Sequence, residues 1–262
     1  MSDKPKIFLT RELPPQTMKL LREQAVLTMN HEDRYLTKTE IMDGIRGVDG
    51  LLCLLTDSID DEILAVNPAL KVVANFAVGF NNIDVAAATI RKIPVTNTPG
   101  VLTETTADMA FALLLDVARR VSEGDRFVRT RAWQGWGPLQ FLGADVSHAT
   151  LGLVGLGRIG KSMIPRARGF SMNVLYWNRT RLTPSEEASL QVTYCELDEL
   201  LQQSDFVSIH VAQDAETRHL LGPRELSLMK PEALLVNTAR GPIVDEKAMV
   251  TALQSGQIAG AG

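Results

Sequence analysis

Short apolar runs and amphipathic segments alternate from one end of the chain to the other. A continuous apolar run such as residues 51–55 is typical of a strand buried on both faces of a sheet. Thr37 and Glu40 have the spacing of a capping box at the start of a helix. The repeated strand–helix–strand order predicts an α/β fold, in which doubly wound parallel sheets carry helices on both faces.

The first series of elements ends near residue 100. Strands are predicted at residues 6–10, 51–55, 71–76 and 93–97, and helices at residues 14–24 and 84–92, with Ser58 capping a further helix that ends at Leu64. Pro99 and Gly100 then break the pattern. We therefore expect two domains, one of residues 1–99 and one of residues 100–262.

The second series opens with a long helix, predicted at about residues 103–131. An irregular arm of residues 131–145 follows, and its Trp133 and Trp136 are expected to pack or to contact a second subunit, which suggests a homodimer. Strands are then predicted at residues 150–155, 173–177, near 192, at 206–211 and 234–238, with a sixth beginning at 258. The helices between them are predicted at residues 159–169, 197–203, 223–229 and 245–255.

Composition narrows the class of protein. The 262 residues are 45% hydrophobic and 22% charged, as in soluble globular proteins, and the net charge of −4 argues against nucleic-acid and anionic-membrane partners. Cys53 and Cys195 lie in or beside predicted strands, so neither a disulfide framework nor a metal site is expected. The polar first residues do not resemble a signal peptide and the apolar runs are too short to cross a bilayer, so we expect a cytoplasmic protein.

A glycine-rich segment follows the strand predicted at residues 150–155. It reads Gly155, Leu156, Gly157, Arg158, Ile159, Gly160. In a dinucleotide-binding loop the first glycine permits the turn, the second lets the backbone approach the pyrophosphate, and the third lets helix and strand pack closely. An ordinary glycine-rich turn is the alternative, but the strand before and the helix after favour a dinucleotide site.

The next strand ends at Asn178, Arg179, Thr180 and Arg181. NAD-binding sites usually carry an acidic residue here for the ribose hydroxyls. A neutral amide, two cations and a hydroxyl suit a 2′-phosphate better, so NADP(H) is favoured, with NAD(H) possible. The alternative is a solvated loop and a relaxed choice of coenzyme.

Arg240 follows the strand predicted at residues 234–238. Ligands of open α/β sheets bind at the carboxyl ends of the strands. The planar, permanently charged guanidinium could bind a carboxylate and polarise an adjacent carbonyl group. The sequence therefore favours hydride transfer to an acidic carbonyl substrate, and a surface ion pair is the lesser interpretation.

Several motifs in a fixed order resemble the D-isomer-specific 2-hydroxyacid dehydrogenase family, and most of all its glyoxylate/hydroxypyruvate reductases. The motifs occupy residues 75–84, 95–108, 155–160, 229–231 and 236–241. The resemblance implies a flavodoxin-like substrate domain followed by a Rossmann coenzyme domain whose last part is missing. It implies that Val78, Gly79 and Leu54 contact the substrate, that Thr106, Val211 and Ala212 contact the coenzyme, and that Thr238, Ala239 and Arg240 flank the nicotinamide. Ala212 stands where the family often has proline.

The same resemblance implies a glutamate and then a histidine after Arg240, to protonate the product. Neither follows within these 262 residues, so we expect a fragment with impaired activity. None of His31, His148, His210 and His219 is a convincing substitute. One alternative is a non-catalytic NAD(P)-binding regulatory protein of the same fold, and another is a phosphoglycerate or D-lactate dehydrogenase.

Overall fold

The computed structural model describes residues 4–262. The chain divides into two compact units, Met1–Val101 and Leu102–Gly262. Each unit contains one sheet, and every strand pair in both sheets is parallel. The α/β class expected from the alternating pattern is therefore confirmed.

The first unit has five strands in the order β2-β1-β3-β4-β5, which is the flavodoxin-like order. Its strands are β1 (Lys6–Leu9), β2 (Val26–Met29), β3 (Gly50–Leu54), β4 (Val72–Phe76) and β5 (Val95–Thr96). Its helices are α1 (Pro15–Gln24), α2 (Lys38–Gly44), α3 (Asp61–Ala65) and α4 (Val85–Ile90).

Local capping explains where two of these helices begin. Thr37 accepts a hydrogen bond from the Glu40 N–H and the Glu40 carboxylate accepts one from the Thr37 N–H, which confirms the capping box. The prediction that Ser58 caps the next helix was wrong. Asp60 caps α3 by accepting from the Ile63 N–H, because a carboxylate placed just before the helix reaches that donor.

The pattern did not predict β2. This four-residue edge strand pairs with β1 in the register Lys6↔Val26, and none of its side chains is fully buried. The main core of the unit lies on one face of the sheet, where Leu51, Cys53 and Val73 pack against helical residues such as Ile41 and Ile63. A smaller cluster of Leu9, Leu13 and Met18 packs α1 against the sheet.

The second unit has six strands in the order β11-β10-β9-β6-β7-β8. Its strands are β6 (Thr150–Val154), β7 (Asn173–Trp177), β8 (Thr193–Tyr194), β9 (Phe206–Ile209), β10 (Leu234–Asn237) and β11 (Gly260–Ala261). Its helices are α5 (Thr103–Arg119), α6 (Val121–Arg129), α7 (Arg158–Gly169), α8 (Pro184–Leu190), α9 (Leu197–Gln203), α10 (Pro223–Leu228) and α11 (Glu246–Gln254), and a 3₁₀ turn spans Gly241–Ile243.

This strand order is that of the Rossmann fold, with β6 as the first strand at the centre. Successive residues of one strand belong to different cores, since Leu234 and Val236 pack with α5 and α7 whereas Leu235 packs with α9, α10 and α11. Both faces of the sheet are therefore covered by helices. The chain leaves β6 first towards β7 and later returns to β9 on its other side, which opens a crevice at the carboxyl end of β6.

The helix predicted at about residues 103–131 is in fact two helices. Arg120 adopts a left-handed conformation with φ of 54°, which ends α5. Asp116 then caps α6 by accepting bonds of 2.6 and 2.7 Å from the Ser122 N–H and hydroxyl. No side chain of α6 is buried, and the arm after it is irregular, with Trp133 and Trp136 exposed.

Within residues 4–262, no helix is both long enough and apolar enough to cross a membrane. The same residues contain no group of three or more His, Cys, Asp or Glu side chains placed to hold a metal ion.

Candidate functional site

The glycine loop joins β6 to α7 as a tight backbone structure. Gly155 has φ of 100°, and a Cβ there would lie 2.8 Å from the backbone nitrogen of Val211. A Cβ on Gly160 would lie 2.3 Å from the Gly155 carbonyl oxygen. Both positions therefore require glycine, one for its dihedral angle and close approach and the other for helix–loop contact.

Gly157 differs from these two glycines. It is the exposed N-cap residue of α7, and nothing lies within 4 Å of a Cβ built on it. Arg158 and Ile159 form the first turn of α7, where free N–H groups and the helix dipole attract an anion. The open space over Gly157 fits the approach of a pyrophosphate group.

Asn178 connects the glycine loop to the end of β7. Its Oδ1 accepts a 3.2 Å bond from the N–H of Leu156, whose side chain is buried, and its Nδ2 donates to the Thr180 carbonyl. Asn178 was predicted to suit a 2′-phosphate because its side chain is neutral where NAD-binding sites usually carry an acidic residue. The structure adds that the amide holds two loops together.

A cavity of about 280 Å³ lies at the carboxyl ends of β6, β7 and β9. Its lining residues are Gly155, Gly157, Trp177, Asn178, Arg179, Thr180, His210, Val211, Ala212 and Thr217. Seven of the residues predicted to contact the coenzyme are thus brought together here, at the crevice beside β6. Glycine loop, amide and guanidinium are groups that suit a dinucleotide.

The two arginines of the 178–181 segment point to different partners. Arg179 lines the cavity and forms ion pairs with Asp214 at 3.0 Å and Glu216 at 2.8 Å. Arg181 is not among the lining residues. It forms a bidentate pair with Glu187 on α8, and its guanidinium lies 4.9 Å from the centre of the Tyr194 ring. Of the two arginines predicted to face a 2′-phosphate, only Arg179 lines the cavity.

The segment after β10 forms a short turn held by Asn237. The Asn237 side chain accepts a bond from the Ala239 N–H and donates one of 2.9 Å to the Arg240 carbonyl. Arg240 itself is extended and half-buried, and its Nη1 donates to the Ala239 carbonyl at 2.8 Å. Arg240 thus stands at the carboxyl end of a strand, as predicted, with its backbone fixed by a neighbouring amide.

Thr238 carries the one buried polar side-chain atom that lacks a partner among residues 4–262. A buried hydroxyl without a hydrogen bond costs free energy, so such an atom suggests a partner that binds from outside the chain. Thr238 precedes Ala239 and Arg240, and its place is consistent with the predicted contact to a nicotinamide.

In the first unit, two asparagine amides hold the loop after β4, and a third asparagine in the same segment bonds the end of β3. Asn97 donates to the Val78 carbonyl at 2.7 Å and Asn75 donates to the Gly79 carbonyl at 2.8 Å. Asn82 donates to the Leu54 carbonyl at 3.1 Å. Among residues 4–262, the Val78 and Gly79 N–H groups donate to no backbone carbonyl. Of the four residues predicted to contact the substrate, Gly79 and Leu54 are thus connected through Asn75 and Asn82, whose side chains lie 3.1 Å apart, and Val78 is held separately by Asn97. The sequence had not indicated these amide supports.

Thr106 lies in the first turns of α5 and is half-buried, outside the cavity. Among the histidines, His210 lines the cavity and lies 2.9 Å from the Ser208 hydroxyl through Nε2. Burial lowers the pKa of His210 to about 4, so the ring is neutral at pH 7. His219 Nδ1 lies 3.7 Å from an Asp245 oxygen, beyond hydrogen-bond distance.

Sequence reasoning missed four functional candidates around this cavity: Trp177, Thr217, Asp214 and Glu216. Trp177 and Thr217 line it directly, and the two acids contact Arg179. Their position in the sequence could have identified them, because all four lie at or after the carboxyl end of β7 or β9. The 214–217 loop is separated from Arg179 by about 35 residues of sequence, and only the fold places them side by side.

Comparison with known proteins agrees with this geometry. Residues 111–262 match the family model described as D-isomer specific 2-hydroxyacid dehydrogenase, NAD binding domain. A glyoxylate reductase of Thermococcus litoralis is 47% identical over 263 residues, covering 99% of this chain and 79% of that protein. These matches include both the glycine loop and the Arg240 segment.

Two solved structures share the fold. A protein of Thermus thermophilus superposes with a TM-score of 0.90 at 42% identity, covering 98% of this chain and 80% of that one. The NADPH-dependent glyoxylate/hydroxypyruvate reductase of Sinorhizobium meliloti, in complex with NADP and malonate, superposes with a TM-score of 0.87 at 33% identity, covering 99% and 78%. The chain belongs to the D-isomer specific 2-hydroxyacid dehydrogenase family.

Proposed function

We propose that this protein reduces a small 2-keto acid, glyoxylate or hydroxypyruvate, to the D-2-hydroxy acid with a nicotinamide coenzyme, and prefers NADPH to NADH. The observation that carries the proposal is the arrangement at one edge of the second sheet. The coenzyme cavity forms at the ends of β6, β7 and β9, and Arg240 follows the neighbouring β10. The reductases of Thermococcus litoralis and Sinorhizobium meliloti support the choice of substrate.

We assign residues 1–99 to substrate binding and residues 100–262 to coenzyme binding. In the first, the N–H groups of Val78 and Gly79 bind the acid, with Leu54 nearby. In the second, residues 155–160 receive the pyrophosphate, Asn178, Arg179 and Thr180 the adenosine ribose, and Val211 and Ala212 the nucleoside. Thr106, Thr238 and Ala239 face the nicotinamide in this assignment.

Reduced nicotinamide supplies a hydride to the carbonyl carbon of the acid. The carbonyl oxygen then carries negative charge, which the guanidinium of Arg240 stabilises while it also binds the carboxylate. The alkoxide still needs a proton. His210 does not supply it at pH 7, because burial holds that ring neutral. We therefore expect this chain to turn over slowly, by about 10²–10⁴-fold relative to an enzyme with a positioned donor.

Binding and turnover test the proposal separately. The purified 262-residue chain is titrated with NADPH and with NADH by fluorescence, and oxidation at 340 nm is followed with glyoxylate, hydroxypyruvate and pyruvate. We expect tighter binding of NADPH and preferential use of glyoxylate or hydroxypyruvate. Arg240→Gln should lower kcat/KM by about 10²–10³-fold with an unchanged coenzyme Kd. A chain that binds neither nucleotide would refute the proposal.

A non-catalytic NAD(P)-binding protein is the second candidate, favoured by one observation. The histidine that lines the coenzyme cavity is neutral and bonded to Ser208, so it resembles a structural residue. Coenzyme binding with no turnover of any 2-keto acid would support this candidate over the reductase.

We further propose that the arm forms a homodimer contact. Its exposed apolar side chains include Trp133, Trp136, Leu139 and Leu142, of which Trp136 is 84% and Leu139 is 82% exposed. A run of large apolar side chains at the surface suggests a protein partner, and a second copy of this chain is the proposed one.

A further inference from the structure

Two carboxylates contact Arg179, the arginine that lines the coenzyme cavity. We propose that Asp214 and Glu216 compete with the 2′-phosphate of NADPH for Arg179, and so limit the preference for NADPH over NADH. This inference rests on the proposed coenzyme-linked function. It adds specificity residues outside the segment 178–181, in which coenzyme choice is expected to lie.

The contacts place one guanidinium nitrogen between two anions. Nη1 of Arg179 lies 3.0 Å from Asp214 Oδ2 and 2.8 Å from Glu216 Oε2. Thr217, the next residue in the chain, lines the same cavity as Arg179. The carboxylates therefore contact Arg179 from the 214–217 loop, which borders the cavity. A coenzyme phosphate in the cavity would need the same guanidinium nitrogen.

Asp214 is held in place by its own turn. Its Oδ1 accepts bonds of 2.9 Å from the backbone N–H groups of both Glu216 and Thr217. The Thr217 hydroxyl donates to the Ala212 carbonyl at 2.7 Å and accepts from the Asp214 N–H at 2.8 Å. Because Oδ1 is used inside the turn, Oδ2 is the oxygen presented to Arg179.

Glu216 differs because its side chain is 72% exposed and reaches Arg179 from solvent. It is free to rotate away at small cost, whereas Asp214 is not. We therefore expect Glu216 to act as a displaceable competitor and Asp214 as a fixed one.

Local charge gives the sign of the effect. Two carboxylates surround Arg179, while Arg181 is already paired with Glu187. A phosphate monoester carries about −1.5 to −2 charge at pH 7, so it must displace or tolerate two like charges at this position. The ribose hydroxyl of NADH is uncharged and meets no such repulsion. Arg179 thus favours NADPH less than an unpaired arginine would.

Neutral variants of the two acids test the idea. In Asp214→Asn the amide oxygen still accepts the two backbone bonds, so the turn is preserved, and Glu216→Gln removes only charge. We expect the Kd of NADPH to fall about two- to fivefold in Glu216→Gln and about tenfold in the double variant, with NADH changed less than twofold. In an Arg179→Gln background these gains should disappear, because the group in competition is gone.

Asp198→Asn is a matched control. Asp198 forms a 2.8 Å exposed pair with Arg224 in the same unit, so the substitution makes the same change in net charge away from the cavity. It should leave the ratio of NADPH to NADH affinity unchanged. Adenosine 2′,5′-bisphosphate compared with adenosine 5′-monophosphate isolates the contribution of the 2′-phosphate.

The outcomes separate the two proposals. If the parent chain binds coenzyme but Glu216→Gln and the double variant bind NADPH no more tightly than the parent, the competition does not exist. An equal gain in Asp198→Asn would also overturn it, since the effect would then be one of net charge. If the parent binds neither nucleotide, it is the proposed function that fails.

Discussion

Two asparagines of the first unit, Asn97 and Asn75, hold the loop after β4 by its carbonyl oxygens, and we propose that the N–H groups of that loop bind the substrate. Asn97→Ala removes the 2.7 Å bond to the Val78 carbonyl, so the loop loses part of its fixed orientation. We expect KM for the keto acid to rise about fivefold, the worth of one hydrogen bond, with coenzyme Kd unchanged. Steady-state kinetics and coenzyme titration give the two values.

Asn30→Ala is the control, since Asn30 makes a similar amide-to-carbonyl bond to Arg34 on an exposed part of the same unit. It should not change KM. Equal KM values for Asn97→Ala and the parent would show that this amide does not position the substrate loop.

His210 gives a pH dependence to stability. The unfolded chain binds a proton on this ring below about pH 6.5, whereas the folded chain holds it neutral until about pH 4. Stability is therefore complete above pH 6.5 and falls as the pH decreases towards 4, by at most about 1.4 kcal/mol per pH unit from this group. His210→Gln should show a shallower loss between pH 6.5 and 4.5 in urea titrations. An identical slope in parent and variant would contradict a neutral, buried His210.

At the residue scale, the sequence predicted where candidate side chains lie along the strands, but not which side chains they contact. It placed Arg179 and Asn178 at the end of the second Rossmann strand because strand periodicity and the glycine loop define that point. It could not show that Arg181 turns to Glu187, since that contact depends on how α8 folds back. It likewise gave no signal that Asp214 would reach Arg179.

At the scale of elements, two glycine-to-alanine substitutions in the glycine loop should differ in their effect on the free energy of unfolding. Gly160→Ala puts a methyl group 2.3 Å from the Gly155 carbonyl oxygen, so α7 must shift and the free energy of unfolding should fall by about 1–3 kcal/mol. Gly157→Ala meets open space, so only the loss of a better N-cap residue remains, and it should lower this free energy by at most about 1 kcal/mol. Chemical denaturation measures both.

For coenzyme binding, in contrast to stability, we expect Gly157→Ala to have a large effect. A methyl group there obstructs the approach of the pyrophosphate, so we expect at least about tenfold weaker binding in a variant that remains folded. If Gly157→Ala bound NADPH normally, the pyrophosphate would have to lie elsewhere.

Element boundaries were predictable where a side chain defines them and less so where the backbone does. The Thr37 capping box was correct because its two residue types and spacing are specific. The break at Arg120 was missed because α-helix propensity continues through it, and a left-handed arginine has no sequence signature. The edge strand β2 was missed because its four residues, Val26–Met29, alternate in burial but not between apolar and polar side chains.

For the whole molecule, the alternating pattern predicted parallel sheets, and the family resemblance implied a flavodoxin-like and a Rossmann domain. Both sheets have the strand orders of those domains. The oligomeric state is a separate matter, for which the arm gives a prediction. A homodimer should have about twice the 28.7 kDa mass of one chain by light scattering. Trp136→Glu with Leu139→Glu should produce monomers, because each places a charge on the exposed apolar arm.

Ile90→Glu serves as the comparison, since Ile90 is 81% exposed on α4 of the other unit. The dimer should persist in that variant. The proposed contact would be refuted if the parent chain were a monomer, or if the dimer persisted with both arm substitutions.

The crevice beside β6 has a consequence for how this protein could change. Its floor is a buried strand and glycine backbone, while the groups that we propose to contact the adenosine ribose lie on two surface loops, after β7 and after β9. Mutations in these loops leave the hydrophobic cores untouched. Coenzyme preference could therefore be changed in the laboratory by randomising positions 179, 180 and 216 alone, because the Asn178 and Asp214 side chains that hold the two loops are then kept.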